Sequence, residues 1–239
     1  KADASHLKEM EVKGTKTNEL MTKFRQSILN DTPPQEKKHA EDFIKANTKS
    51  VVSLYLIRKY FFANSSPDYD KALSLLALLE KEQGKNPLFG KMKTWATDTK
   101  NSSVGKQLPT FTAYDLNGKM VSSADLSSAP VAVIYTWASY NYDSQELQRE
   151  LKRRQKKANG RLKLMGFCLD ASKYECKQNI KRDSITSPTI CNGEMMEDKT
   201  LNKLGLKSLP NIILLQNGKI IARGMKRQEL YNKLDELLK

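Results

Sequence analysis

The chain has 239 residues, 38% of them hydrophobic and 28% charged, with a formal net charge of +14. That length holds one large or two ordinary domains. The composition is that of a soluble globular protein, and no apolar run approaches a membrane span. Cys168, Cys176 and Cys191 are an odd count, so at most one disulfide forms within the chain and one thiol is left over. Their spacing is not that of a metal site, and only His6 and His39 could join them. Buried, inert thiols are expected, with no metal and no cofactor. The chain begins at Lys1 without a signal peptide and reads as a mature or trimmed form, whose start says nothing about export.

The elements fall in two regions. Residues 8–14 are short and partly alternating (Met10, Val12) and fit one strand. From Thr17, Leu20, Phe24 and Ile28 recur at helical spacing, and Pro33-Pro34 breaks that helix. Ala40, Phe43 and Ile44 mark a second helix to about Asn47. Ser50 caps a third over Val51–Ala63, Pro67-Asp68 opens a fourth that Gly84 stops, and Pro87 begins a fifth with Phe89, Met92 and Trp95 on one face. Residues 15–103 are therefore expected to be a helical domain, whose Leu and aromatic stripes are core.

After Asn101-Ser102-Ser103 the pattern changes. Asn117-Gly118 predicts a two-residue hairpin turn, since both positions need positive φ. Val131–Thr136 is a continuous apolar, β-branched run, as in a strand buried on both faces. A helix over Asp143–Lys157, a strand over Leu162–Leu169, helices over Ser172–Arg182 and Thr200–Gly205, a hairpin through Gln216-Asn217-Gly218-Lys219 and a final amphipathic helix follow. This order predicts an α/β domain over 104–239, a mixed central sheet with helices on both faces, preceded by the all-helical segment.

Three stretches carry a resemblance: Val104-Gly105-Lys106-Gln107-Leu108-Pro109-Thr110-Phe111 with Asp115-Leu116-Asn117-Gly118-Lys119; Thr136-Trp137-Ala138-Ser139-Tyr140; and Leu209-Pro210-Asn211 before Ile212–Leu215. Together they resemble the thioredoxin-like superfamily, in particular the extracytoplasmic TlpA/ResA-type thiol–disulfide oxidoreductases. The helical segment is similar in layout to one that precedes the thioredoxin domain in Bacteroidetes-type proteins, and residues 1–14 would then end a truncated β-rich domain. In the family, Trp-Ala-Ser-aromatic leads into Cys-x-x-Cys. Here Asn141 stands where the attacking cysteine would be and Ser144 where the resolving one would be, and neither side chain can be a thiolate nucleophile. Asp143 or Ser144 is expected to cap the helix that follows.

The resemblance implies a cis Leu209–Pro210 bond and a short backbone edge at Leu209 that pairs with an extended peptide. Trp137, Tyr140, Tyr142, Leu209 and Pro210 are the expected binding groove. The leading expectation is a redox-inactive module that binds a protein or extended peptide outside the cytoplasm, in the periplasm or cell envelope. The family also leaves room for membrane proximity through an anchor upstream of Lys1. The alternative is a thiol–disulfide oxidoreductase on the relocated cysteines Cys168, Cys176 and Cys191: in the family the extended Ser187–Ile190 segment lies as an inserted strand near the one that Cys168 ends, so a Cys168–Cys191 or a Cys176–Cys191 bridge is open. A third reading rests on the basic run Arg149, Lys152, Arg153, Arg154, Lys156, Lys157, Arg161 and Lys163. No aromatic side chains interleave with it as a base-stacking surface requires, so a solvated face is expected and no nucleic acid.

Overall fold

The computed structural model describes residues 14–62 and 68–239. The chain divides into two units, Lys1–Lys100 and Asn101–Lys239. The expected strand at 8–14 lies, apart from Gly14, outside the described residues.

In the first unit the described residues form α1 (Lys16–Ser27), α2 (Pro33–Ala46), α3 (Val51–Ile57), α4 (Tyr69–Gln83) and α5, which runs from Pro87 to Asn101. Pro33 and Pro34 do not end a helix but begin one. They occupy its first turn, where a missing N–H costs nothing, and the Thr32 N–H donates to Gln35 Oε1 (2.9 Å). The third helix is α-helical only to Ile57, and Arg58–Phe62 form a π turn. That turn places Phe61 and Phe62 inward, Phe62 stacked on Trp95 with ring centroids 4.8 Å apart. Phe24, Ile44, Leu54, Leu76 and Leu79 fill the same core. Among the described residues no helix is long and apolar enough to cross a membrane.

The second unit contains β1 (Thr112–Tyr114), β2 (Met120–Ser122), α6 (Ser123–Ser127), β3 (Val131–Trp137), α7 (Tyr142–Lys157), β4 (Leu162–Cys168) and α8 (Lys173–Arg182). After these come β5 (Thr189–Ile190), α9 (Lys199–Lys203), β6 (Ile212–Gln216), β7 (Lys219–Arg223) and α10 (Arg227–Leu237). β1 and β2 pair alone, and the other strands form one mixed sheet in the order β5-β4-β3-β6-β7. β3 is parallel to β4 and antiparallel to β6, and β4 is parallel to β5.

Every residue of β3 is buried, as expected of a central strand covered on both sides. Its side chains alternate. Val131, Val133, Tyr135 and Trp137 face Leu147 and Leu151 of α7 and Leu230 and Leu234 of α10. Ala132 and Ile134 face Phe111, Leu126 and Leu206. Opposite Tyr135, β4 carries Gly166, and there a Cβ would lie 3.0 Å from the Tyr135 hydroxyl and 3.3 Å from Trp137 Nε1. A glycine lets both large rings lie across the strand.

The two Asn-Gly turns differ. Asn217 (φ 49°) and Gly218 (φ 77°) make the expected two-residue turn, with Gln216 paired to Lys219. The first turn is longer, because Tyr114 pairs with Met120 and residues 115–119 form the loop. Only Gly118 has positive φ there. The Asp115 carboxylate accepts from the N–H of Asn117 (2.8 Å) and of Lys119 (2.9 Å) and fixes the wider loop.

Candidate functional site: the loop between β3 and α7

β3 ends at Trp137, and residues 138–141 turn the chain into α7. The cap of α7 is Asn141, not Asp143 or Ser144. Asn141 has extended backbone (φ −119°) and its side-chain oxygen accepts from the Ser144 N–H (2.9 Å), which satisfies one of the unpaired donors of the first turn. Ser144 is fully buried. Its hydroxyl donates to the Asn141 carbonyl (2.8 Å) and accepts from the Ala138 N–H (3.1 Å). Ser139 donates its N–H to Asp170 Oδ1 (2.9 Å), and its carbonyl accepts from Gln145 Nε2. Both side chains at the sequence-marked positions thus tie down the loop, while the positive end of a 16-residue helix still points at it.

Beside this loop runs the segment 208–211, with a cis Leu209–Pro210 peptide. It is held to β3 through Thr136: the Thr136 hydroxyl donates to Ser208 O (2.9 Å) and accepts from the Asn211 N–H (2.7 Å), and Thr136 N–H donates to Asn211 O (3.0 Å). Leu209 packs partly against the core. Among the described residues neither its N–H nor its C=O has a hydrogen-bond partner. Tyr140 and Tyr142 are 66% and 71% exposed. Trp137 corrects the expected groove: it is fully buried and packs with Tyr135, Leu147 and Cys168, so it supports the loop from beneath and presents no surface.

The three cysteines converge below the same loop. Cys168 ends β4, Cys176 lies in α8 and Cys191 follows β5. The pairing of Phe167 with Ile190 places Cys168 and Cys191 side by side. All three are buried free thiols whose Sγ atoms lie within 4.8 Å of one another. Cys191 Sγ also lies 3.6 Å from the Asp170 carbonyl oxygen. Hydrogen bonds from Cys168 and Cys176, with help from the Gly193 N–H, draw the Cys191 pKa below that of an ordinary thiol. Contacts with Cys176 and Cys191 and burial push Cys168 up. Cys176 is lowered by Cys168, but Cys191 and burial push it up on balance. Asp170, absent from the sequence expectation, links the cluster to the loop. Its only sequence signal is its place two residues past Cys168.

No family model matches the chain, and no curated protein matches it in sequence. Solved structures do resemble it. A thiol-disulfide oxidoreductase from Bacteroides fragilis is 28% identical with a TM-score of 0.50, over 56% of this chain and 100% of that one. The C-terminal domain of a candidate thiol-disulfide oxidoreductase from Bacteroides thetaiotaomicron is 24% identical with a TM-score of 0.52, over 58% of this chain and 97% of that one. A thioredoxin-like protein from Bacteroides caccae is 12% identical with a TM-score of 0.58, over 89% of this chain and 87% of that one. Residues 101–239 form a thioredoxin-like domain.

The basic run of this thioredoxin-like domain is largely tied to neighbours. Arg149 pairs with Glu146 and with Asp183 (3.0 Å), Arg153 with Glu150 (3.2 Å), and Arg154 with Glu150 (3.0 Å) and Asp235. Lys152 donates to the Asp183 carbonyl (2.7 Å), Lys163 to Ser128 Oγ (2.9 Å), and Arg161 to the last two carbonyls of the chain. The bonds of Arg149 and Lys152 to Asp183 and of Arg154 to Asp235 hold α7 to its surroundings, and together these contacts leave fewer cations for a polyanion.

Asp183 carries the clearest consequence. Burial opposes its ionisation, but hydrogen bonds from Arg182 and Arg149 outweigh burial and hold its pKa below the usual carboxylate range. A lowered folded pKa contributes stability that is present above the unfolded value near 3.9 and is lost as pH falls through the folded value. Asp183→Asn is expected to destabilise the domain by about 1–2 kcal/mol at pH 7. Urea titrations of both chains should show that difference shrinking below about pH 4.

Proposed function

We propose that the protein is a redox-silent thioredoxin-fold module that holds an extended peptide or protein segment against the Leu209 edge, outside the cytoplasm. The reading rests on the unpaired backbone of Leu209 beside a loop that carries no thiol. An unpaired N–H and C=O next to a sheet are a template for one more strand. Tyr140 and Tyr142 flank the loop as rigid amphipathic anchors of the kind that dominate binding energy, and Pro210 adds apolar surface. In the TlpA/ResA-type proteins that the sequence resembles, the Asn141 and Ser144 positions hold the reactive pair. With an amide and a hydroxyl there, binding is what the site retains. The periplasm or cell envelope follows from the same resemblance.

Tyr140→Ala combined with Leu209→Ala tests this. Peptides selected from a random extended library on the parent should bind the double variant at least about tenfold more weakly in isothermal titration, the loss of one hot spot, with circular dichroism unchanged. Equal affinity for both chains removes the groove reading.

The convergence of the thiols favours a second reading, disulfide exchange on Cys168, Cys176 and Cys191. Exchange requires an accessible thiolate. Failure of iodoacetamide to label any of the three in the folded chain ends that reading.

A further inference from the structure

The chain has three cysteines, and all three meet at one point of the second unit. They come from three separate elements: the end of β4, the body of α8 and the residue after β5. Their Sγ atoms lie within 4.8 Å of one another, in the apolar cluster between the sheet and the helices α7 and α10. In a tetrahedral zinc–thiolate site, metal–sulfur bonds of about 2.3 Å set the sulfurs roughly 3.8 Å apart. Closure around an ion thus needs a contraction of about 1 Å at most, within the reach of χ1 adjustments.

A second observation points to the same place. Asp170 is 1% exposed, its Oδ1 accepts from the Ser139 N–H, and among the described residues its Oδ2 has no partner. A buried carboxylate oxygen without a donor is costly, and a cation satisfies it. The carboxylate acts on Cys176 through its charge, and its own carbonyl oxygen lies 3.6 Å from Cys191 Sγ. The Gly193 N–H and Lys173 near Cys191 offset negative charge on the sulfurs. Cys168 and Cys191 are each 5% exposed and Cys176 is fully buried.

We infer that Cys168, Cys176 and Cys191 form a binding site for a single soft, thiophilic d10 cation, with Asp170 beside it. Thiolates select Cu(I) and Zn(II) over harder ions. Three sulfurs alone complete a trigonal Cu(I) site, whereas Zn(II) needs a fourth ligand, for which the Asp170 carboxylate, outside the 4.8 Å group of the three sulfurs, would have to turn toward the ion. No electron transfer is involved: three thiols lose their protons and the ion takes their place.

The test uses the full chain, reduced and kept free of oxygen, titrated separately with Cu+ and with Zn2+ against a coloured chelator. One equivalent of either ion should be withdrawn from the chelator. Cys176→Ala and Cys191→Ser should each abolish the uptake. Asp170→Asn, which keeps the oxygen that Ser139 bonds, should weaken Zn2+ about 10–100-fold and leave Cu+ unchanged. Uptake of Cu+ alone supports the trigonal form, and uptake of Zn2+ that falls in Asp170→Asn supports the four-ligand form. If a cysteine variant does not fold, a metal-dependent rise in the thermal midpoint of the parent carries the test. A parent chain that leaves both ions on the chelator with an unshifted midpoint overturns the inference, as does unchanged uptake by folded cysteine variants.

Discussion

Trp137→Ala is expected to lower the stability of the second unit by about 3–5 kcal/mol, read as a lower urea midpoint at an unchanged slope. Trp137 is fully buried among Tyr135, Leu147 and Cys168, and among the described residues its indole N–H has no partner. The loss is therefore one of packing and cavity formation, with no hydrogen bond broken. Trp137→Phe separates the two effects. It keeps a ring in the space and removes the unpartnered N–H, so it should cost well under half as much. A Trp137→Ala chain as stable as the parent would place the ring at the surface, where the groove implied by the resemblance needs it.

That residue shows why the site was only partly legible. The Trp-Ala-Ser-Tyr pattern marks the loop after a central strand, but it does not tell which aromatic rings face outward. Trp137 shares the face of β3 that carries Val131, Val133 and Tyr135, and period-two alternation buries it, whereas Tyr140 lies beyond the strand and is exposed. The fold itself was easier to read. The seven-residue run of β3 and the 16-residue helix α7 are long, and their patterns are decided by burial. Short-range side-chain chemistry misled the reading in three places. The Asp115 carboxylate widened the first Asn-Gly turn, the Asn141 side chain took the cap from its neighbours, and Pro33-Pro34 opened a helix. The thiol cluster had no linear signal because its members come from three elements joined only by the β4–β5 pairing and the packing of α8. The resemblance pointed to the approach of Cys191 to Cys168 or to Cys176, but not to the meeting of all three or to Asp170.

Asn141→Cys/Ser144→Cys is expected to have the largest functional effect. Asn141 is partly exposed and Ser144 buried, as an attacking thiol and its resolving partner should be. Both lie at the start of α7, where the helix N-terminus lowers a thiol pKa toward neutrality. Ser144→Cys exchanges one atom in a site where the hydroxyl is held by Ala138 and Asn141, so the loop should keep its shape. The three native cysteines are buried and should not reach a protein disulfide.

Reduction of insulin disulfides by dithiothreitol, followed by turbidity with the parent chain or the double variant added, tests the central claim most directly. The account predicts no acceleration by the parent and at least a tenfold acceleration by the variant, which corresponds to a barrier lower by roughly 1.4 kcal/mol or more. A parent that accelerates the reaction contradicts the account and moves the chemistry to Cys168, Cys176 or Cys191.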